Sequence, residues 1–139
     1  RRNPLDNILS MLRARMVSPQ NYCSDVVDAA EVIIAQEQAM LGFKERYGER
    51  IFTNNYEQLT QTPEHHIRTL LSWLGWPWDE RYLNHHRKDR LIFNASAIQA
   101  RNPINSRSVQ GWRRYADLLE PGRQCLISSG LFDSADLTA

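Results

Sequence analysis

Two groups of residues in this 139-residue sequence have the types and spacing to grip an oxyanion. The first is Arg2, set immediately before Asn3-Pro4, where a helix is expected to begin. A helix start presents orphan N–H groups and the positive end of its dipole, and a guanidinium adds a two-pronged grip. Ser10 lies about 10 Å further along that helix at 1.5 Å per residue, within reach of a phosphate held by a long Arg side chain. The second group is Ser106-Arg107-Ser108, followed by Trp112, Arg113 and Arg114, at the mouth of another expected helix. Hydroxyls and Arg at a helix start again suit phosphate. Each group also has a plainer use, as helix caps and solvated arginines around core aromatics.

Other chemistries find less support. The histidines occur as His65-His66 and His85-His86. Helix neighbours point about 100° apart, whereas a helical metal pair needs spacings of three or four, so no metal site is expected. The patterns GxxxxGK[ST], GxSxG and HExxH are absent, and no catalytic residue is assigned in this chain. Seventeen basic against sixteen acidic residues leave a net charge of +1, which disfavours a general nucleic-acid binder. Fifteen of the seventeen are Arg, a bias compatible with oxyanion recognition. Cys23 and Cys125 lie outside any CxxC pattern and form no disulfide framework, so a reducing, cytoplasmic setting is expected. The longest apolar run, Val32 to Ala35, is far short of the roughly 20 residues of a membrane span. The chain opens on Arg1-Arg2-Asn3-Pro4 without a Met, which reads as the interior of a longer protein.

The elements that would position these groups are mainly helical. Asn3 as cap, Pro4 at the first helical position and Leu5, Ile8, Leu9 and Leu12 on one face predict a helix from Pro4 to about Met16. Ser24 is the expected cap of a long helix ending at Gly48, with Val27, Ala30, Ile34 and Leu41 turned inward. Ile51 through Tyr56 reads as one short buried strand; either another chain or a preceding portion supplies its neighbours, or the segment is no strand and the protein is all helical. Thr62-Pro63-Glu64 opens a helix that Gly75 stops, and Asp79 caps a short one reaching His85 or His86. A long loop runs from Lys88 to Arg107, a class of segment that is often functional. A helix over Ser108 to Leu119 and a last short one over Cys125 to Ser129 complete a chain expected to hold one core.

Three stretches, in order, resemble sulfotransferases that use 3′-phosphoadenosine 5′-phosphosulfate (PAPS), of the bacterial type often fused to tetratricopeptide repeats. Arg2-Asn3-Pro4-Leu5-Asp6-Asn7-Ile8-Leu9-Ser10 looks like the family's R-[DN]-P-x-D-x-x-x-S segment. Tyr56-Glu57-Gln58-Leu59, Pro63 and Leu74-Gly75-Trp76-Pro77-Trp78-Asp79 are similar to its YEDL, P, LGLPWD succession. Ala95-Ser96, Gln99, Arg101, Pro103-Ile104 and Ser108 to Tyr115 resemble S-x-x-Q-x-R-x-P-I-Y followed by S-x-x-x-W-R-x-Y. The resemblance implies that Arg2 and Ser10 bind the nucleotide's 3′-phosphate, that Tyr56 lies against adenine, and that Ser106, Arg107 and Ser108 belong to a loop covering the phosphate.

Asn105 stands where that family has Tyr, and Asn94 where it usually has Thr. The family's phosphosulfate loop, leaving-group Lys and general base all precede the position of Arg2, so none is assigned here. The implied fold is α/β, the C-terminal part of a P-loop-like three-layer sulfotransferase domain, with residues 1–139 mostly α-helical around one short strand. The implied donor is PAPS, the product 3′-phosphoadenosine 5′-phosphate (PAP) and the acceptor an unspecified hydroxyl or amine. A strand edge or aromatic surface would offer a route to homo-oligomers. From another class, the same sequence reads as a helical interaction module using aromatics such as Trp76 and Trp78.

Overall fold

The computed structural model describes residues 1–14, 24–84 and 102–138, and these are mostly helical. The α-helices are α1 (Pro4–Ala14), α2 (Val26–Tyr47), α3 (Tyr56–Gln61), α4 (Pro63–Leu74) and α5 (Ala116–Ser129), with 3-10 turns at Gly48–Arg50, Glu80–Tyr82, Gly111–Tyr115 and Ser134–Leu137. They form two compact units. One comprises Arg1 with Phe52–Arg107, the other Arg2–Ile51 with Ser108–Ala139. No described helix is long and apolar enough to cross a membrane.

The second unit packs α1, α2 and α5 together and holds most of the described buried apolar side chains. Asn3 caps α1 as its type and position predict, with Oδ1 accepting from the backbone N–H of Leu5 at 3.0 Å and Asp6 at 3.2 Å. Leu5, Ile8 and Leu9 are buried, and Leu12 packs at the core's margin. The cap of α2 is Asp25 rather than Ser24: its Oδ1 accepts from Val27 N at 2.7 Å and Asp28 N at 3.1 Å. The inward face of α2 is Ala29, Ala30 and Ile33, while Val27 and Leu41 are exposed and Ile34 only packs at the margin. Gly122 of α5 comes close to the start of this helix, where a Cβ would lie 2.7 Å from Val26 Cγ1.

Helix α5 also departs from expectation by running unbroken through Pro121-Gly122, joining what the sequence divides into two helices. An interior proline costs about 3 kcal/mol. Buried Leu119 and Leu126, each contributing about 1.5–3 kcal/mol, together with the close fit at Gly122, outweigh it. The expected helix start at Ser108 is instead a turn followed by 3-10 backbone over Gly111–Tyr115.

In the first unit, α3 packs on α4. Helix α4 has the expected proline start, and its Gly75 terminator adopts φ +70°. No strand forms among the described residues, so the expected strand over 51–56 is not present as such. Asn55 Oδ1 accepts from Gln58 N at 2.9 Å and opens a helix at Tyr56 instead. The segment before it retains extended backbone at Asn55. There the backbone nitrogen of Arg1 donates to the Asn54 carbonyl, and Tyr56 N donates to the Arg1 carbonyl at 2.8 Å. That alternation is the bonding pattern of a parallel bridge, one residue long. Asp79 Oδ1 accepts from Arg81 N at 2.8 Å and caps the short 3-10 turn Glu80–Tyr82. His85, His86 and most of the expected long loop, including Ser96, Gln99 and Arg101, lie outside the described residues.

Candidate functional site

The site is built at the start of α1. With Asn3 capping the helix and Pro4 in its first position, Arg2 stands just outside the N-terminus, where the dipole favours negative charge. Its half-buried side chain reaches across 106 positions of sequence, and Nη2 donates to the Ser108 carbonyl at 3.0 Å. Two of the residues singled out in the sequence, one from each oxyanion group, are therefore brought together. Ser10 projects exposed from α1 about two turns in.

Asp6 sits in the first turn, only 1% exposed. Its Oδ2 accepts from Gln110 N at 2.7 Å and its Oδ1 from Trp112 N at 3.0 Å. Gln110 adopts φ +57°, the single positive φ at a non-glycine residue among those described. Trp112 is buried in the core. Two helical turns further along α1, Arg13 Nη2 donates to the Tyr115 hydroxyl at 3.1 Å and its guanidinium lies 5.2 Å from that ring's centre. The 108–115 segment is thus attached to α1 at Asp6 and Arg13, and to Arg2 just before it. Arg113 and Arg114 are exposed, the former 5.9 Å from the Trp112 ring centre.

Tyr56, Ser106 and Arg107 belong to the other unit. Tyr56 is half-buried at the first position of α3. Ser106 and Arg107 are exposed, and Arg107 N donates to Asn105 Oδ1 at 3.2 Å while Asn105 Nδ2 donates to the Pro103 carbonyl at 2.9 Å. The Asn at 105 thus serves the local turn with its amide.

The first unit also carries an open groove of about 620 Å³ lined by Thr62, Pro63, Glu64, His65, Arg68 and Leu83. None of the expected site residues lines it. Arg68 Nη2 is paired with Glu64 Oε1 at 2.8 Å and the guanidinium lies 3.9 Å over the Trp78 ring. The His65 and His66 rings meet edge to face, 5.3 Å between centres. No group of three metal-capable side chains occurs among the described residues.

Arg2 thus stands at a capped helix start with its guanidinium on the Ser108 carbonyl. The sulfotransferase family's sequence profile matches residues 1–80, more than half of the chain. The chain belongs to the sulfotransferase family. It is also 39% identical over 72 residues to an uncharacterized protein of Aquifex aeolicus (strain VF5), a stretch covering 52% of this chain. That stretch spans 10% of the relative's length. The chemistry-bearing residue that the sequence reading passed over is Asp6. Its signal was present in the R-[DN]-P-x-D-x-x-x-S pattern, but an acidic residue in a helix's first turn has an ordinary use with the dipole and did not stand out.

Proposed function

We propose that residues 1–139 are the C-terminal portion of an α/β sulfotransferase domain that transfers a sulfuryl group from PAPS to a hydroxyl or amine acceptor. In this reading Arg2 and Ser10 bind the 3′-phosphate, Ser106, Arg107 and Ser108 cover it, and Tyr56 lies against adenine. The observation that carries the proposal is the contact between Arg2 and Ser108, because it joins the two oxyanion groups at a helix N-terminus. The parallel-bridge pattern at Arg1 supports the α/β part, since it pairs the chain entering α1 with the extended segment before Tyr56. When bound, the nucleotide supplies the sulfuryl group. This chain's share is to orient the donor by its phosphate and base, and such positioning dominates catalysis in the related chemistry of phosphoryl transfer. The near-neutral cysteine-poor chain fits a cytoplasmic enzyme.

Calorimetric titration with PAP, with 5′-AMP as the control lacking the 3′-phosphate, tests the reading. Selective binding of PAP is expected, lost in Arg2→Ala and reduced in Arg2→Lys, which keeps the charge but not the fork. Equal affinity for the two nucleotides would sink it. The interaction-module reading rests on Trp76 and Trp78, of which Trp76 is exposed and Trp78 is half-buried beneath the Arg68 guanidinium, and it predicts no preference for a 3′-phosphate.

A further inference from the structure

A first-turn carboxylate ordinarily serves its own helix, but both oxygens of Asp6 accept from backbone N–H groups of a segment more than a hundred positions away. The group is buried, and a buried charge is tolerated only where hydrogen bonds replace its water. Charge-assisted bonds to two amides of one short turn supply that replacement and fix the turn's orientation. Gln110, one of the two donors, holds the positive φ that a residue with a Cβ seldom adopts, so the turn is kept in a conformation its own sequence does not favour. At the same turn's other end the Ser108 carbonyl receives Arg2.

We infer that Asp6 is the positioning residue of the half-site, holding the Ser108–Trp112 turn on α1 so that Ser108 and the Arg2 guanidinium face a common anion. The inference rests on the nucleotide reading above and adds to it the residue that makes the half-site preformed. A competing account is that burial of Trp112 alone seats the turn, leaving Asp6 a replaceable acceptor.

The test uses the 139-residue chain, its Asp6→Asn variant and Asp6→Glu as the charge-conserving partner. Asn matches Asp in size but directs an NH2 toward one of the two donors. Amide exchange at Gln110 and Trp112 is measured with no nucleotide, and affinities for PAP and 5′-AMP are measured by calorimetry. In Asp6→Asn both amides are expected to exchange faster while the amides of α2 and α5 do not, and the preference for PAP is expected to fall about tenfold or more, with partial recovery in Asp6→Glu. Unchanged exchange at Gln110 and Trp112 overturns the inference, as does faster exchange with the wild-type preference retained. Absence of any preference in the wild-type chain overturns the nucleotide reading and this inference together, so the two failures are distinguishable. If Asp6→Asn does not fold, wild-type exchange decides: slow at both amides and slower with PAP supports the inference, and fast at either one overturns it.

Discussion

At the residue scale, capping and ion pairing give the sharpest expectations. Asp25 satisfies two orphan N–H groups at the start of α2, so Asp25→Ala is expected to lower stability by about 1 kcal/mol in denaturant unfolding. Glu120 accepts from Arg123 Nε at 2.7 Å and Nη2 at 2.8 Å, and from Gln124 Nε2 at 2.6 Å. The Arg123 bonds first, then Gln124, hold its carboxyl down from 4.5 to about 2. An acid with a lowered folded pKa binds more protons when unfolded, so its contribution is present above about 4.5 and fades as pH falls toward 2. Thermal unfolding of the wild-type chain and Glu120→Gln should differ near neutral pH and converge in that acid range. The pair is only half-buried, so added salt should shrink the difference.

At the element scale, the meeting of α2 and α5 is the tightest described contact. Gly122→Ala places a methyl 2.7 Å from Val26 Cγ1 and 3.1 Å from the Val26 carbonyl, and a loss of about 1–3 kcal/mol is expected by chemical denaturation. Gly42→Ala on the same α2, with nothing near its Cβ, should stabilise by about 0.5–1 kcal/mol. These contacts also explain what the amino-acid order reveals and conceals. Helices α1 and α4 are legible because their signals are local: Asn3 with Pro4, and Thr62-Pro63 with Gly75. The inward face of α2 and the continuity of α5 are not, because each depends on packing with elements distant in sequence: α2 turns Ala29, Ala30 and Ile33 into the core, and α5 runs through Pro121 with Leu119 and Leu126 buried and Gly122 against Val26. The strand over 51–56 fails for the opposite reason: Asn55 and Tyr56 have a local helix-start signal that outweighs the β-branched and aromatic residues before them. In the half-site, Arg2 and Ser108 were legible by type, but their contact is a tertiary fact, and so is the use of Asp6.

At the scale of the whole molecule, sulfuryl transfer by the 139-residue chain alone is expected to stay at background in an assay with labelled PAPS, because its sequence offers no assignable phosphosulfate loop or general base. Turnover above background would place those functions in residues assigned elsewhere by the present reading. Core packing and the half-site should also fail together. Truncating Ile8, fully buried between the elements of the second unit, is expected to cost about 2–5 kcal/mol and, on the proposed nucleotide reading, to weaken PAP binding.

The span of 106 positions between Arg2 and Ser108 carries a consequence for folding order. Closing a loop of that length in an unfolded chain costs about 4 kcal/mol of configurational entropy, more than a single charge-assisted hydrogen bond returns. The clasp between Arg2 and Ser108 therefore cannot lead assembly. It forms after α1 and α5 have docked and their collapse has already brought Arg2 and Ser108 to one place. A synthetic peptide covering residues 1–14 should consequently have no preference for a 3′-phosphate, however well it is induced to form a helix. On the proposed nucleotide reading, the smallest fragment expected to prefer a 3′-phosphate must contain both Arg2 and Ser108, together with the helices that bring them into contact.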